Sequence, residues 1–301
     1  MEEGNRLQEI EKQRKSQRED GKDRENREKI FSEEKSVIKP QILCSNIIES
    51  LEQLSSPTFA ETWDNVGLLA GRRDKPVGRI YIALDATDEV IEEAVCGGAD
   101  MLLTHHPLIF SPLKKINTDD FIGRRLVKLL GNDISYYVMH TNFDVMGMAD
   151  AAADEIGLEN REVLYMTYED EIAREGIGRH GRLSKPMLLE KYAAYIRQVF
   201  GLEGVILYGD GETLVERAAI SPGSGKSMIS AALKAGVQVL ITGDIGHHEG
   251  LDAMAQGLAI IDAGHYGIEK LFIPYMQEYI VREFPQLEVV AARQGNPFRI
   301  I

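Results

Sequence analysis

Apolar positions along this chain fall into short blocks whose spacing alternates between helix and strand. Ile42, Leu43, Ile47, Ile48, Leu51 and Leu54 recur at helical spacing and stop before Pro57. Residues 79–84 form a compact apolar run that predicts a strand ending at Asp85. Thr87 caps a predicted helix through Val95, closed by Gly97 and Gly98. Met101, Leu102 and Leu103 are too few for a helix and predict a buried strand that stops on His105, His106 and Pro107. The plan then repeats, with a helix over 122–130 and a strand over 135–139 that ends on His140, Thr141, Asn142, Phe143 and Asp144. A small helix over 151–156 follows, with Asp150 as its expected N-cap and Gly157 closing it.

The second half carries a similar pattern. Residues 167–185 show the least regular spacing, and Ser184 before Pro186 predicts the start of a helix bearing Leu188, Leu189, Tyr192, Ile196 and Phe200. Beyond it come a strand over 215–221, a helix over 227–235 closed by Gly236, and a strand over 237–242 that enters a loop with Asp244, His247 and His248. The order helix, glycine, apolar strand, threonine and polar loop with paired histidines thus recurs. A strand over 258–262 leads into Gly264, His265 and Glu269, followed by a long amphipathic helix to about Phe284 and a last strand over 287–291. These alternations predict an α/β fold of two similar subdomains from an internal duplication, with right-handed crossovers, mostly parallel strands and the ligand-bearing loops gathered in the crevice between them. The expected divisions are a charged extension over 1–36, a first half over 37–160 and a second over 161–301.

Composition narrows this picture in three places. Residues 1–34 are almost wholly Glu, Lys, Arg, Gln, Asp and Asn, without an apolar stripe, so a frayed helix or a disordered extension is expected there. The formal net charge of -14 disfavours a sequence-independent grip on nucleic acid phosphates. Cys44 and Cys96 make no C-x-x-C pair and are expected to be small core residues in a reducing compartment, while no apolar run reaches a membrane span, so the cytoplasm is the expected location.

The chemistry sits at the strand ends. Two adjacent histidines where a strand frays into a loop can diverge while facing one cavity. His265 and Glu269, four residues apart, share one helical face. If both halves deliver their strand ends to one crevice, His105, His106, Asp144, His265 and Glu269 converge. With Glu269 bridging, that set supplies about three protein bonds to each of two divalent ions, the open arrangement of catalytic sites. Imidazole and carboxylate donors suit zinc, iron, manganese, nickel or cobalt alike. His140 is the candidate acid-base residue, or else a support for Asp144; His247 and His248 either face or merely flank the crevice. Asp64 and Asn65 are expected to form an Asx turn beneath Trp63, and the loop 221–227, which lacks Walker-A spacing, a tight turn rather than a phosphate cradle.

Several of these stretches, in order, carry a resemblance: 61–67 (ETWDNVG), 104–107 (THHP), 140–144 (HTNFD), 242–244 with the histidines at 247 and 248, 262–269 (DAGHYGIE) and 296–298 (NPF). From Ile42 onward the chain resembles the GTP cyclohydrolase I type 2 homologs, also called NIF-three-like dinuclear metal proteins. The resemblance implies two similar α/β subdomains, a two-metal site on His105, His106, Asp144, His265 and Glu269, and a ring-shaped homohexamer; the charged extension is not part of the pattern. Two functions are compatible with it. One is a metal-dependent hydrolase acting on a nucleotide, phosphoester or cyclic amidine; the other is a non-catalytic metal-bound scaffold or regulatory interaction protein.

Overall fold

A computed structural model describes residues 41–299, so the expectation for the charged extension lies outside the described residues. The first predicted helix forms as α1 (Cys44–Leu54) and buries Cys44, Ile47, Ile48 and Leu51. It is followed by β1 (Gly67–Ala70), β2 (Arg79–Ala83), α2 (Asp88–Cys96), β3 (Met101–Thr104), α3 (Phe121–Gly131) and β4 (Ser135–Val138). Thr87 caps α2 by accepting from the Val90 N–H, as its position predicts. Strands β2, β3 and β4 are parallel neighbours, and β1 closes one edge antiparallel to β4.

After β4 the backbone does not make the simple capped helix expected. It passes through a short helical segment α4 (Thr141–Phe143), a single π turn (Asp144–Met148) and α5 (Ala149–Glu155). Asp150 therefore lies inside a helix rather than capping one, and its carboxylate pairs at 2.8 Å with the buried Arg179.

A second correction concerns 167–188. These residues form most of a long hairpin, β5 (Leu158–Glu169) and β6 (Arg174–Leu188), and the helix begins only with α6 (Leu189–Val199). The glycines that obscure the pattern make the pairing possible: a Cβ at Gly176 would collide with the Tyr165 carbonyl, and Gly178 takes φ +69°. Pro186 sits where the β6 register shifts between Arg182 and Met187, so it interrupts no ladder bond and starts no helix.

The remaining elements are β7 (Ile206–Tyr208), β8 (Leu214–Ser224), α7 (Ile229–Ala235), β9 (Val239–Gly243), α8 (His247–Ala255), β10 (Ala259–Asp262), α9 (His265–Glu269), α10 (Phe272–Glu283) and β11 (Glu288–Ala291). The long helix expected after Gly264 is broken into α9 and α10. Pro274, which has no N–H to give, stands in the first turn of α10 and forbids continuation of the backbone ladder from α9.

The strands make two sheets. One has the order β1-β4-β3-β2-β11 and the other β5-β6-β8-β9-β10-β7. The parallel triplets β2-β3-β4 and β8-β9-β10 share the same spatial order and the same intervening helices. The chain's end departs from a simple succession of halves, because β11 returns to pair in parallel with β2. Helix α10 returns with it, and Phe272, Met276 and Ile280 join α1 in one core against the first sheet. Tyr81, Val90, Leu126 and Tyr136 fill the opposite face. From Ile42 onward the described residues thus form one compact unit.

Candidate metal centre

Each candidate ligand is delivered by the carboxyl end of a parallel strand, the place where loops diverge and backbone N–H and C=O groups leave the ladder. His105 and His106 follow β3; Asp144 follows β4 at the start of the π turn; His265 and Glu269 follow β10 on α9. The structure brings all five together. The side chain of His105 is fully buried and that of Glu269 only 3% exposed.

Glu269 is the hub. Its Oε2 lies 2.9 Å from both His106 Nε2 and His265 Nε2, and those two nitrogens are 3.2 Å apart. Its Oε1 faces His105 Nε2 at 3.7 Å, and His105 Nε2 lies 3.5 Å from Asp144 Oδ1. The donors thus form two triads that share Glu269, one with His106 and His265 and one with His105 and Asp144. Within 4.8 Å of one another there is also a donor set from His105, His106 and His140.

The far ring nitrogens are fixed. His105 Nδ1 donates to the Met139 carbonyl at 2.8 Å, and since a carbonyl only accepts, the proton of a neutral ring sits there and Nε2 presents a lone pair to the cluster. His106 Nδ1 is held by Asp85 and His265 Nδ1 by Asp244, both at 2.7 Å. Carboxylate or carbonyl partners of this kind orient metal-binding imidazoles and set their tautomers.

Asp85 and Asp244 were not picked out from the sequence as partners. The available signal was positional: each lies just past the end of a parallel strand, β2 and β9, in the loop layer that carries the ligands. His140 is held in the same manner, with Nδ1 2.8 Å from Asp64 Oδ1, while Thr141 donates its N–H to Asp64 Oδ2. The Asx turn expected of Asp64 does not form: its Oδ1 accepts from the N–H of the next residue, Asn65, at 2.7 Å, not from the residue two positions on. That contact and the histidine contact share one carboxylate.

The stretch 221–227 is not the tight turn expected: residues 221–224 are the end of β8, irregularly paired with β9, and a 3-10 turn (Lys226–Met228) follows; this stretch touches the centre. A Cβ at Gly223 would come within 2.5 Å of Glu269 Oε1, so only glycine leaves room for that carboxylate. His247 and His248 do not join the cluster; they are exposed on the first turn of α8. Of the cysteines, Cys44 is buried but Cys96 is exposed, at the solvent side of the last turn of α2, so only one of them is a core residue.

Charge in the cluster is strongly perturbed. Burial pulls the His106 imidazole down, but Asp85 and Glu269 outweigh it and lift its pKa to about 10. His265 is lifted to about 9 in the same way, burial being overcome by Glu269 and Asp244. Burial and the Glu269 charge push Asp144 up to about 7. Burial alone would raise Glu269 too, yet the surrounding imidazoles hold it well below the carboxylate range. Asp64 is likewise held at about 2, its burial outweighed by His140 and Thr141.

Whether the residues fit metal ions is answered by two atoms. His105 Nε2 and Asp144 Oδ1 are buried and have no hydrogen-bond partner, although they face each other. When Asp144 is ionised, two lone pairs so placed repel, and each unsatisfied buried polar group costs about 1–3 kcal/mol. A cation between them and Glu269 removes both penalties at once, so the donor set fits.

The mouth above the cluster is a cavity of about 510 Å³ lined by Pro107, Phe110, His140, Tyr266, Pro297 and Phe298 among others. Trp63, half-exposed, packs against Phe110 with ring centroids 5.6 Å apart and meets His140 edge to face at 6.1 Å. The site is therefore a polar floor of imidazoles and carboxylates beneath apolar walls, a form typical of small-molecule sites.

Comparison with known proteins bears on this arrangement. A family model described as Duf34/NIF3 (NGG1p interacting factor 3) matches residues 42–297. A GTP cyclohydrolase 1 type 2 homolog from Clostridium perfringens is 34% identical over 261 residues, spanning 85% of this chain and 99% of that relative. A protein of the same name from Clostridium acetobutylicum is 35% identical over 234 residues, spanning 77% of this chain and 85% of the relative. Among solved structures, a Bacillus cereus protein related to NIF3 matches with a TM-score of 0.81 at 26% identity, covering 87% of this chain and 99% of that one.

Proposed function

This chain belongs to the Duf34/NIF3 family, and from that premise we propose that it is a metal-dependent hydrolase whose two divalent ions are held by His105, His106, Asp144, His265 and Glu269. The observation that carries the reading is the pair of buried, unpartnered atoms, His105 Nε2 and Asp144 Oδ1, set against a shared Glu269. Bound divalent ions supply Lewis acidity toward an oxygen-bearing substrate and neutralise charge that develops on it. The chain's own groups do the rest. Glu269 ties the two triads together; Met139, Asp85 and Asp244 fix the rings so that each Nε2 faces inward; and Phe110 and Phe298 offer apolar surface to the substrate at the mouth. His140, oriented by Asp64 and packed against the His105 and His106 rings, is placed to hand a proton to or from substrate.

The substrate class favoured by this chemistry and by the relatives' name is a nucleotide, a phosphoester or a cyclic amidine. Assembly as a ring-shaped homohexamer is part of the same proposal. It is supported by the exposed apolar side chains of the β5–β6 hairpin, Tyr165, Tyr168 and Ile172, and light scattering should give the mass of six chains. Among the described residues no helix is long and apolar enough to cross a membrane.

Metal analysis is the direct test. After loading at neutral pH the protein should carry up to two divalent ions per chain, His105→Ala should release mainly one, and Glu269→Ala should release both. Hydrolysis of a panel of nucleotides, phosphoesters and ring amidines by the loaded protein, absent in His105→Ala, completes it. Intact protein that takes up no metal ends the reading.

A further inference from the structure

Gln294 lies where the end of β2, the C-terminal segment and α9 meet. Its side-chain oxygen accepts from the Leu84 N–H at 2.9 Å and the Asp85 N–H at 3.1 Å. Its side-chain nitrogen donates to Asp85 Oδ2 at 2.7 Å. Only one orientation of the carboxamide satisfies all three contacts, since the flipped amide would set NH2 against two donors and oxygen against a carboxylate. The main-chain carbonyl of the same residue accepts from the Tyr266 hydroxyl at 2.8 Å.

Both ends of this arrangement reach the cluster. The other oxygen of Asp85 holds His106 Nδ1, and Tyr266 directly follows His265 on α9. His106 comes from the first sheet and His265 from the second, and their Nε2 atoms meet at one oxygen of Glu269. The Asp85 side chain is 42% exposed, so packing alone does not hold its carboxylate; the Gln294 amide supplies the missing restraint.

We infer that Gln294 is a positioning residue of the metal centre, whose carboxamide locks Asp85, and through it His106, while its carbonyl holds Tyr266 beside His265. The inference rests on the metal reading and goes beyond it in assigning a residue that touches no ligand atom of the cluster.

Cobalt titration of the full chain tests it, with visible absorption as the readout of the coordination sphere and melting temperature of the metal-free protein measured alongside. Gln294→Ala should weaken cobalt binding about 10- to 100-fold and alter the absorption band, as loss of an outer partner does. Gln294→Glu keeps both main-chain contacts but turns a carboxylate toward Asp85; it should fold and show a comparable loss. Asp85→Asn should also weaken binding, and adding Gln294→Ala to it should cost nothing further, because the effect passes through Asp85. Wild-type affinity and an unchanged band in both Gln294 variants would overturn the inference, as would losses that multiply in the double variant. Wild-type protein that binds no cobalt would end the metal reading and this inference together, whereas wild type that binds while the Gln294 variants bind equally ends this inference alone.

Discussion

His140 is the residue whose role separates two kinds of chemistry. It shares a donor set with His105 and His106, yet its Nδ1 is committed to Asp64, so it is equipped either to move a proton or to steady the cluster. Replacing His140 by Ala is expected to cost about 100- to 10,000-fold in turnover with metal content unchanged, the signature of a lost acid-base group. A variant with weakened metal retention instead assigns it to the support of the ions. At this scale the sequence was informative about ligands and silent about their partners. Paired histidines and a His-x-x-x-Glu at strand ends are rare enough to notice, whereas Asp85, Asp244 and Gln294 are ordinary polar residues whose meaning comes from contacts across 21 or, for Gln294, 209 positions of chain.

Elements were legible where one rule governed them and obscure where two competed. The helices α1 to α3 and strands β2 to β4 follow their apolar spacing closely. The β5–β6 hairpin did not, because its glycines and Pro186 signal loops locally while edge pairing with β8 holds the backbone extended. The break between α9 and α10 has a structural use. It leaves Glu269 facing the cluster and turns Phe272, fully buried, into the core of the first sheet, where its ring lies 5.3 Å from His105 and 5.5 Å from Phe143. Phe272→Ala is expected to cost about 3–5 kcal/mol of stability by denaturant titration. Because the cavity opens beside His105, the same variant should also hold metal less tightly. A substitution that costs stability but leaves metal retention untouched would show that the core and the centre are independent.

For the whole molecule, the perturbed histidines make stability depend on pH in a way that metal should abolish. A group whose pKa rises on folding adds stability that is complete below its unfolded value and is lost as pH climbs through its folded value. His106 and His265, lifted from an ordinary 6.5 to about 10 and about 9, therefore stabilise the metal-free protein at neutral pH and cease to do so by about pH 10. Asp144, lifted to about 7, acts with the same sign at lower pH. The melting temperature of metal-free protein should accordingly fall by several degrees between about pH 7 and pH 10. Metal-loaded protein, whose donors have given up those protons, should show no such fall. Equal profiles for the two forms would mean that ions and protons do not compete for these atoms.

The return of β11 to the edge of β2 also sets an order of events during synthesis. A chain emerging from the ribosome can pair β2, β3 and β4 early, but the partner strand beyond β2 and the Gln294 contacts to Asp85, 209 positions further on, arrive much later. The support that Gln294 gives the centre therefore forms after its candidate ligands are in place, and a chain shortened to stop before residue 288 should fold much of its mass yet hold metal less tightly by metal analysis.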